Sequence, residues 1–198
     1  MILSLQGCMA VGKTTAITYL KEHAPYLHIS YENIGEVLRE VKERQLNKDI
    51  FEDYIEIQRL WILHERKRWE KAKDFPTAVM DFGAEEIEFY TLHYPKAIGK
   101  TWPVKEALRK ELASLEPCMP KRILFLDASQ EHLQRNKEKD TSRSRNSFEF
   151  YLRNLFPLKR QWFLNRDNVD ILSVDGLSKE EVGKRVQDWC DACLHRYK

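Results

Sequence analysis

The sequence predicts a three-layer α/β fold built on a parallel sheet, and three observations carry that expectation. Short apolar runs of strand length alternate with longer amphipathic stretches of helical period. The first apolar run leads straight into a glycine-rich loop, GCMAVGKTT at residues 7–15, which opens a helical pattern. Two later apolar runs each end on an aspartate, Asp81 and Asp127, and read as buried strands.

In chain order, residues 2–5 form the first strand and 14–22 the helix behind the loop. Residues 26–30 form a second strand, followed by helices over 34–46 and 50–73. The runs 77–80 and 122–126 are the third and fourth strands. A long helix spans 148–165, with Asn146 and Glu149 at the spacing of a capping pair and Pro157 as a kink. Residues 169–174 supply the fifth strand, and Ser178 with Glu181 makes a capping box for a last helix that reaches the C-terminus. The chain shows no internal repeat and no low-complexity segment.

A chain of 198 residues without a Pro/Gly/Ser-rich linker is read as a single domain over 1–198. With 42% hydrophobic and 32% charged residues the composition is that of an ordinary soluble protein. No apolar run approaches the roughly 18 residues of a membrane helix. The start MILSLQ lacks a basic leader and runs into the loop, so no signal peptide and no membrane partner are expected and the predicted location is cytoplasmic. A net charge of +2 gives no reason to expect a nucleic-acid partner. Among the four cysteines, Cys190 and Cys193 form a CxxC. No second pair completes a four-ligand zinc set, and the motif falls near the end of a helical pattern, so packing is favoured over a metal or redox role.

The loop matches G-x-x-x-x-G-K-[ST] at Gly7, Gly12, Lys13 and Thr14, between a strand and a helix as that motif requires. Glycines let successive amides, those of Ala10, Val11, Gly12 and Thr15 among them, turn inward onto phosphate oxygens, while Lys13 reaches the β and γ phosphates. Thr14 offers a hydroxyl to Mg²⁺. ATP with Mg²⁺ is therefore the expected cofactor pair. A regulatory GTPase should show an NKxD motif, but Asn136-Lys137 is followed by Glu138 and Lys139. A motor ATPase is usually larger, so the short chain favours a small-molecule kinase.

Three further positions complete a phosphotransferase. Asp81 ends the third strand, where a carboxylate can hold Mg²⁺ or its waters; a helix N-cap is the alternative. The DFG string it starts lacks the HRD loop and glycine-rich hairpin of protein kinases. Glu32 follows the second strand in HISYENIGEV, placed either to take a proton from an acceptor hydroxyl or to favour the dipole of a helix's first turn. The cluster Arg135, Lys137, Lys139, Arg143 and Arg145 suits a lid over about 137–147, whose arginines close on the charge of the transferring phosphoryl group.

With these residues in place, the sequence resembles the P-loop kinases of the deoxynucleoside kinase and thymidylate kinase group. The run ILFLDASQEHLQRNKEKDTSRSR followed by FEFYLRNLFPLKRQWF is similar to that family's strand, helix, arginine lid and following helix. The resemblance implies a P-loop NTPase fold with a five-stranded parallel sheet of order 2-3-1-4-5. It implies that Lys13, Glu32, Arg143 and Arg145 are catalytic and that Glu32 acts as base in YENIG. It also implies that Arg135 and the stretch around Asp175 border the nucleotide. By the same likeness Glu52 stands where the family has a base-reading glutamine, with Gln58 nearby, and Arg59 matches an arginine beyond it. Tyr54 and Trp61 on that helix, and Tyr90 in the aromatic segment EEIEFYTLHYPKAIGKTW, are further substrate candidates.

The departures bear on the acceptor. The family places an arginine after the third-strand carboxylate, and this chain has Phe82; thymidylate kinases carry an arginine beside the carboxylate after strand two, and this chain has Tyr31. A monophosphate brings about two negative charges that need such partners. Arg39 or Arg59 could substitute, but the expectation is an uncharged small-molecule acceptor, a nucleoside. Alternatives are a nucleoside monophosphate, a sugar acid or an antibiotic, and, in another class, an NTP-hydrolysing switch. A homodimer is left open, and Glu85 and Glu86 have no role in this reading.

Overall fold

The apolar runs become five parallel strands, β1 (Ile2–Gly7), β2 (His28–Ser30), β3 (Ala78–Asp81), β4 (Arg122–Asp127) and β5 (Val169–Ser173), in the order β2-β3-β1-β4-β5. This is a computed structural model, and it describes residues 1–139 and 148–197. The sheet order is the expected one. Leu3, Ser4, Leu5 and Gln6 on the central strand are all fully buried, so both faces of the sheet are covered there, although the strand alternates apolar and polar side chains. Leu5 is in register with Asp81 on one side and Leu124 on the other, which aligns the carboxyl ends of β1, β3 and β4 at one edge. In open α/β sheets that edge is where ligands bind.

The helices are α1 (Lys13–His23), α2 (Gly35–Glu43), α3 (Phe51–Ala72), α4 (Ala84–Ala97), α5 (Val104–Ala107), α6 (Arg109–Ala113), α7 (Gln130–Lys139), α8 (Phe148–Phe150), α9 (Phe156–Leu164) and α10 (Lys179–Arg196). Helices α1 and α10 pack together and reach β1 and β4. A Cβ on Gly183 of α10 would stand 2.3 Å from Cγ of Tyr19, so this close approach needs glycine. Helix α4 lies between α3 and α9 in a second packed group. The predicted Ser178–Glu181 capping box starts α10: Glu181 N donates to Ser178 Oγ (3.2 Å) and Ser178 N to Glu181 Oε2 (2.7 Å). Cys190 and Cys193 are unpaired and buried along α10. Among the described residues no helix is long and apolar enough to cross a membrane.

The helix predicted over 148–165, with its kink at Pro157, runs over 148–164: α8 passes through a π turn, Tyr151–Leu155, into α9. Pro157 has no N–H for the carbonyl four residues back, and the wider turn accommodates that loss. The aromatic segment is a 14-residue helix, α4, and its Phe89 is fully buried between neighbouring elements.

Candidate active site

At the carboxyl edge of β1 the chain turns through Gly7, whose φ of 145° and contact with β4 leave no room for a side chain. A Cβ there would lie 2.6 Å from the Leu126 carbonyl oxygen. Ala10 (φ 66°) and Gly12 (φ 103°) adopt left-handed backbone, which curls 7–15 around an open space. Asn136 of α7 braces the curl by donating to the Ala10 carbonyl (2.9 Å). No side chain caps α1, so the orphan N–H groups of its first turn are free for an anion. Nothing lies within 4 Å of the Cβ position of Gly12. This cradle fits a polyphosphate.

Lys13 lies over the Phe82 ring, its Nζ 3.9 Å from the centroid. Burial, and then the nearby Lys159, lower its proton affinity to about 8, while Asp81 and Glu86 oppose the shift. Thr14 lines the same cleft. The hydroxyl of Thr14 and the carboxylate of Asp81 are hard oxygen donors that suit Mg²⁺, which takes few protein ligands and completes its shell with water and phosphate.

Opposite the loop, Glu32 lines a cleft of about 900 Å³ with Phe82, Glu86 and Tyr90. Glu32 is exposed as a residue, yet its carboxyl is desolvated by the protein around it. That desolvation, reinforced by Glu86 and Asp81, raises it to about 7, against the pull of Arg68 and Lys13. Tyr151, delivered by the π turn, also lines the cleft. The neighbouring Cys8 thiol is pushed up to about 12 by burial.

The scaffold beneath these groups includes residues the sequence reading missed. Arg68 of α3 donates to the carbonyls of Ser30 (3.4 Å), Asp81 (3.1 Å) and Phe82 (2.5 Å), tying the ends of β2 and β3 together. Its charge is met by Glu65, one turn away, at 2.8 and 3.0 Å. Burial raises Glu65 to about 7 even so. Phe82 is held at φ 55°, a left-handed conformation costly for a bulky residue, and Arg68 grips its carbonyl. Lys159 of α9 is fully buried, with its Nζ 2.7 Å from Glu86 Oε2 and 4.6 Å from the Phe82 ring centre. Glu85 is fully buried, accepting from the Ser4 hydroxyl and from Gln6 Nε2 (2.6 Å); burial raises its proton affinity. A Glu-x-x-Arg pair in the buried stripe of α3 was the available signal for Arg68. Nothing local marked Lys159.

Of the substrate candidates, the structure brings Glu32 and Tyr90 into the cleft and the others elsewhere. Tyr54 is buried and donates to the carbonyls of Tyr90 and Thr91, both at 3.0 Å. Gln58 is buried too, and its Oε1 accepts from Thr91 Oγ1 (2.8 Å), which engages it in the α3–α4 packing. Glu52 is exposed, and Arg59 is half exposed in ion pairs with Glu56 and Glu111. Trp61 is half buried, edge-on to His64. Arg135 is exposed on a face of α7 that does not line the cleft, where His132 and Asn136 do. Asp175 accepts from Ser129 N (2.9 Å) and Oγ (3.0 Å) and so holds the start of α7, while its neighbours Val174 and Leu177 line the cleft. Arg39 is exposed and lies off the cleft lining. Arg143 and Arg145, with most of the expected lid, lie outside the described residues.

No family model and no curated protein matches the sequence. Solved structures do match. Deoxyadenosine kinase from M. mycoides, with products dCMP and a flexible dCDP bound, is similar over 97% of this chain and all of its own, with a TM-score of 0.74 at 13% identity. The same enzyme with bound dATP gives 0.74 over 96% of this chain and all of its own, also at 13% identity. Thymidylate kinase from Candida albicans is similar over 98% of this chain and 92% of its own, with a TM-score of 0.65 at 16% identity. The chain thus has the α/β P-loop fold that these nucleoside and nucleotide kinases share.

Proposed function

We propose that the protein is an ATP- and Mg²⁺-dependent phosphotransferase whose acceptor is the hydroxyl of an uncharged, nucleoside-like molecule. One observation carries the reading: a carboxylate of raised proton affinity, Glu32, faces the same cleft as a phosphate cradle and Lys13. Among the described residues the cations lining that cleft are Lys13 of the loop, Lys139 ending α7 and Lys179 starting α10. The acceptor side presents Glu32, Glu86, Phe82 and Tyr90. Two carboxylates and two aromatic rings suit a neutral, flat, hydroxyl-bearing molecule and repel a phosphorylated one. The fold shared with a deoxyadenosine kinase supports a nucleoside-like acceptor.

The loop amides and Lys13 bind and orient the donor phosphates. Thr14 and Asp81 would hold Mg²⁺, which would supply charge to offset that of the phosphates. Glu32 receives the acceptor proton as the new oxygen–phosphorus bond forms and the bridging bond of the donor breaks, releasing ADP. A group near 7 is partly ionised at neutral pH and so suits this task. Arg143 and Arg145 extend the proposal as lid arginines. The test is product analysis after incubation with ATP, Mg²⁺ and a panel of nucleosides, their monophosphates and small alcohols. Formation of a nucleoside monophosphate supports the reading; ADP release without any phosphorylated product refutes it.

A further inference from the structure

Lys159 is the least explained charge in the molecule. Its residue is fully buried, its ammonium meets one carboxylate, Glu86 at 2.7 Å, and among the described residues it has no hydrogen bond of good geometry. Burying an ion pair rarely stabilises a fold relative to apolar packing, so stability alone does not explain it. Its place is informative. Lys159 lies on α9 just beyond the π turn, and its ammonium sits against Phe82, whose ring also contacts Lys13. Glu86 has the opposite character: it is mostly buried, yet it lines the cleft beside Glu32 and Tyr90.

We propose that Lys159 is a positioning residue that anchors Glu86 as an acceptor-binding carboxylate, so that Glu86 takes a hydrogen bond from a second hydroxyl or amino group of the acceptor while Glu32 serves the reacting hydroxyl. This rests on the kinase reading above. Two carboxylates facing one cleft repel each other, and the two here differ in what stands behind them. Glu86 has an ammonium ion at contact distance, whereas Glu32 has the more distant Arg68 and Lys13. The arrangement divides the roles, Glu86, held by Lys159, accepting a hydrogen bond for binding and Glu32 moving a proton. A neutral acceptor with at least two hydrogen-bond donors follows as the ligand class.

The test uses the full chain with ATP, Mg²⁺ and deoxyadenosine, and deoxycytidine as second acceptor probe, together with ADP binding by calorimetry. Glu86→Gln and Lys159→Met are each expected to raise the acceptor KM by roughly tenfold or more while ADP affinity stays within about twofold. The double variant, which leaves no unpaired buried charge and so guards against loss of folding, is expected to be no worse than either single change. Lys159→Arg is expected to recover part of the loss. Weakened ADP binding in Lys159→Met would overturn the proposal by placing the ammonium in the phosphate site, and multiplicative single effects would overturn it by separating the two residues. An unchanged acceptor KM in both variants, with the unmodified protein active, would refute it alone. Absence of nucleoside phosphorylation by the unmodified protein would refute the kinase reading with it.

Discussion

The two halves of the cleft are built in different ways. On the proposed function, the donor half is one continuous stretch: β1, the loop and the first turn of α1 supply the cradle, Lys13 and Thr14 from a short run of chain. The acceptor half is assembled from the end of β2, the end of β3, one face of α4 and the π turn before α9, and it is held together by Arg68 and Lys159 from helices distant in sequence. A phosphate cradle needs backbone amides at fixed curvature, which a local motif can specify. A selective acceptor wall needs side chains converging from several directions, and only tertiary packing supplies those.

The largest expected effect falls on the donor half. Lys13→Ala should reduce phosphoryl transfer by about three orders of magnitude or more and weaken ADP binding in calorimetry. Glu32→Gln should separate the halves: kcat falls by about 10²–10⁴-fold while ADP affinity is retained. In the unmodified protein kcat/KM should rise as pH passes about 7, because Glu32 must lose its proton to act as base, and fall above about 8, because Lys13 must keep its own. Glu32→Gln should abolish the rising limb and leave the falling one, which a pH–rate series would show.

Arg68→Met tests the acceptor scaffold. Removing the guanidinium strands Glu65 in the interior and releases three carbonyls, so unfolding free energy should drop by about 3–5 kcal/mol in a denaturant titration. The smallest effect is expected at Arg59. Its side chain is 44% exposed and bridges Glu56 and Glu111, so Arg59→Ala should change stability by less than about 1 kcal/mol and leave the acceptor KM unchanged. A large rise in acceptor KM in that variant would move the acceptor site onto the outer face of α3.

The difference between the halves also explains what the sequence made legible. The strand order, the cradle and the α10 capping box each rest on local requirements: apolar runs, glycines at positive φ, a Ser and a Glu at capping spacing. Residues on α3 were harder to place. Spacing along a helix does not say which face meets the ligand. Tyr54, Gln58, Glu65 and Arg68 turn inward, and Glu52 and Arg59 turn away. Pro157 announced a kink, but the π turn before it and the burial of Lys159 on α9 are revealed by no linear pattern. Glu86, without a role in the linear reading, acquires its proposed one only through packing, which brings it with Glu32 into one cleft and against Lys159 of α9.

The claim that the acceptor half receives an uncharged hydroxyl is tested most directly by competition. Equal amounts of deoxyadenosine and its monophosphate are offered with ATP and Mg²⁺, and the initial products are followed by phosphorus NMR. The carboxylate-lined wall predicts that the nucleoside is phosphorylated and the monophosphate is left unconverted; preferential formation of the diphosphate would contradict it.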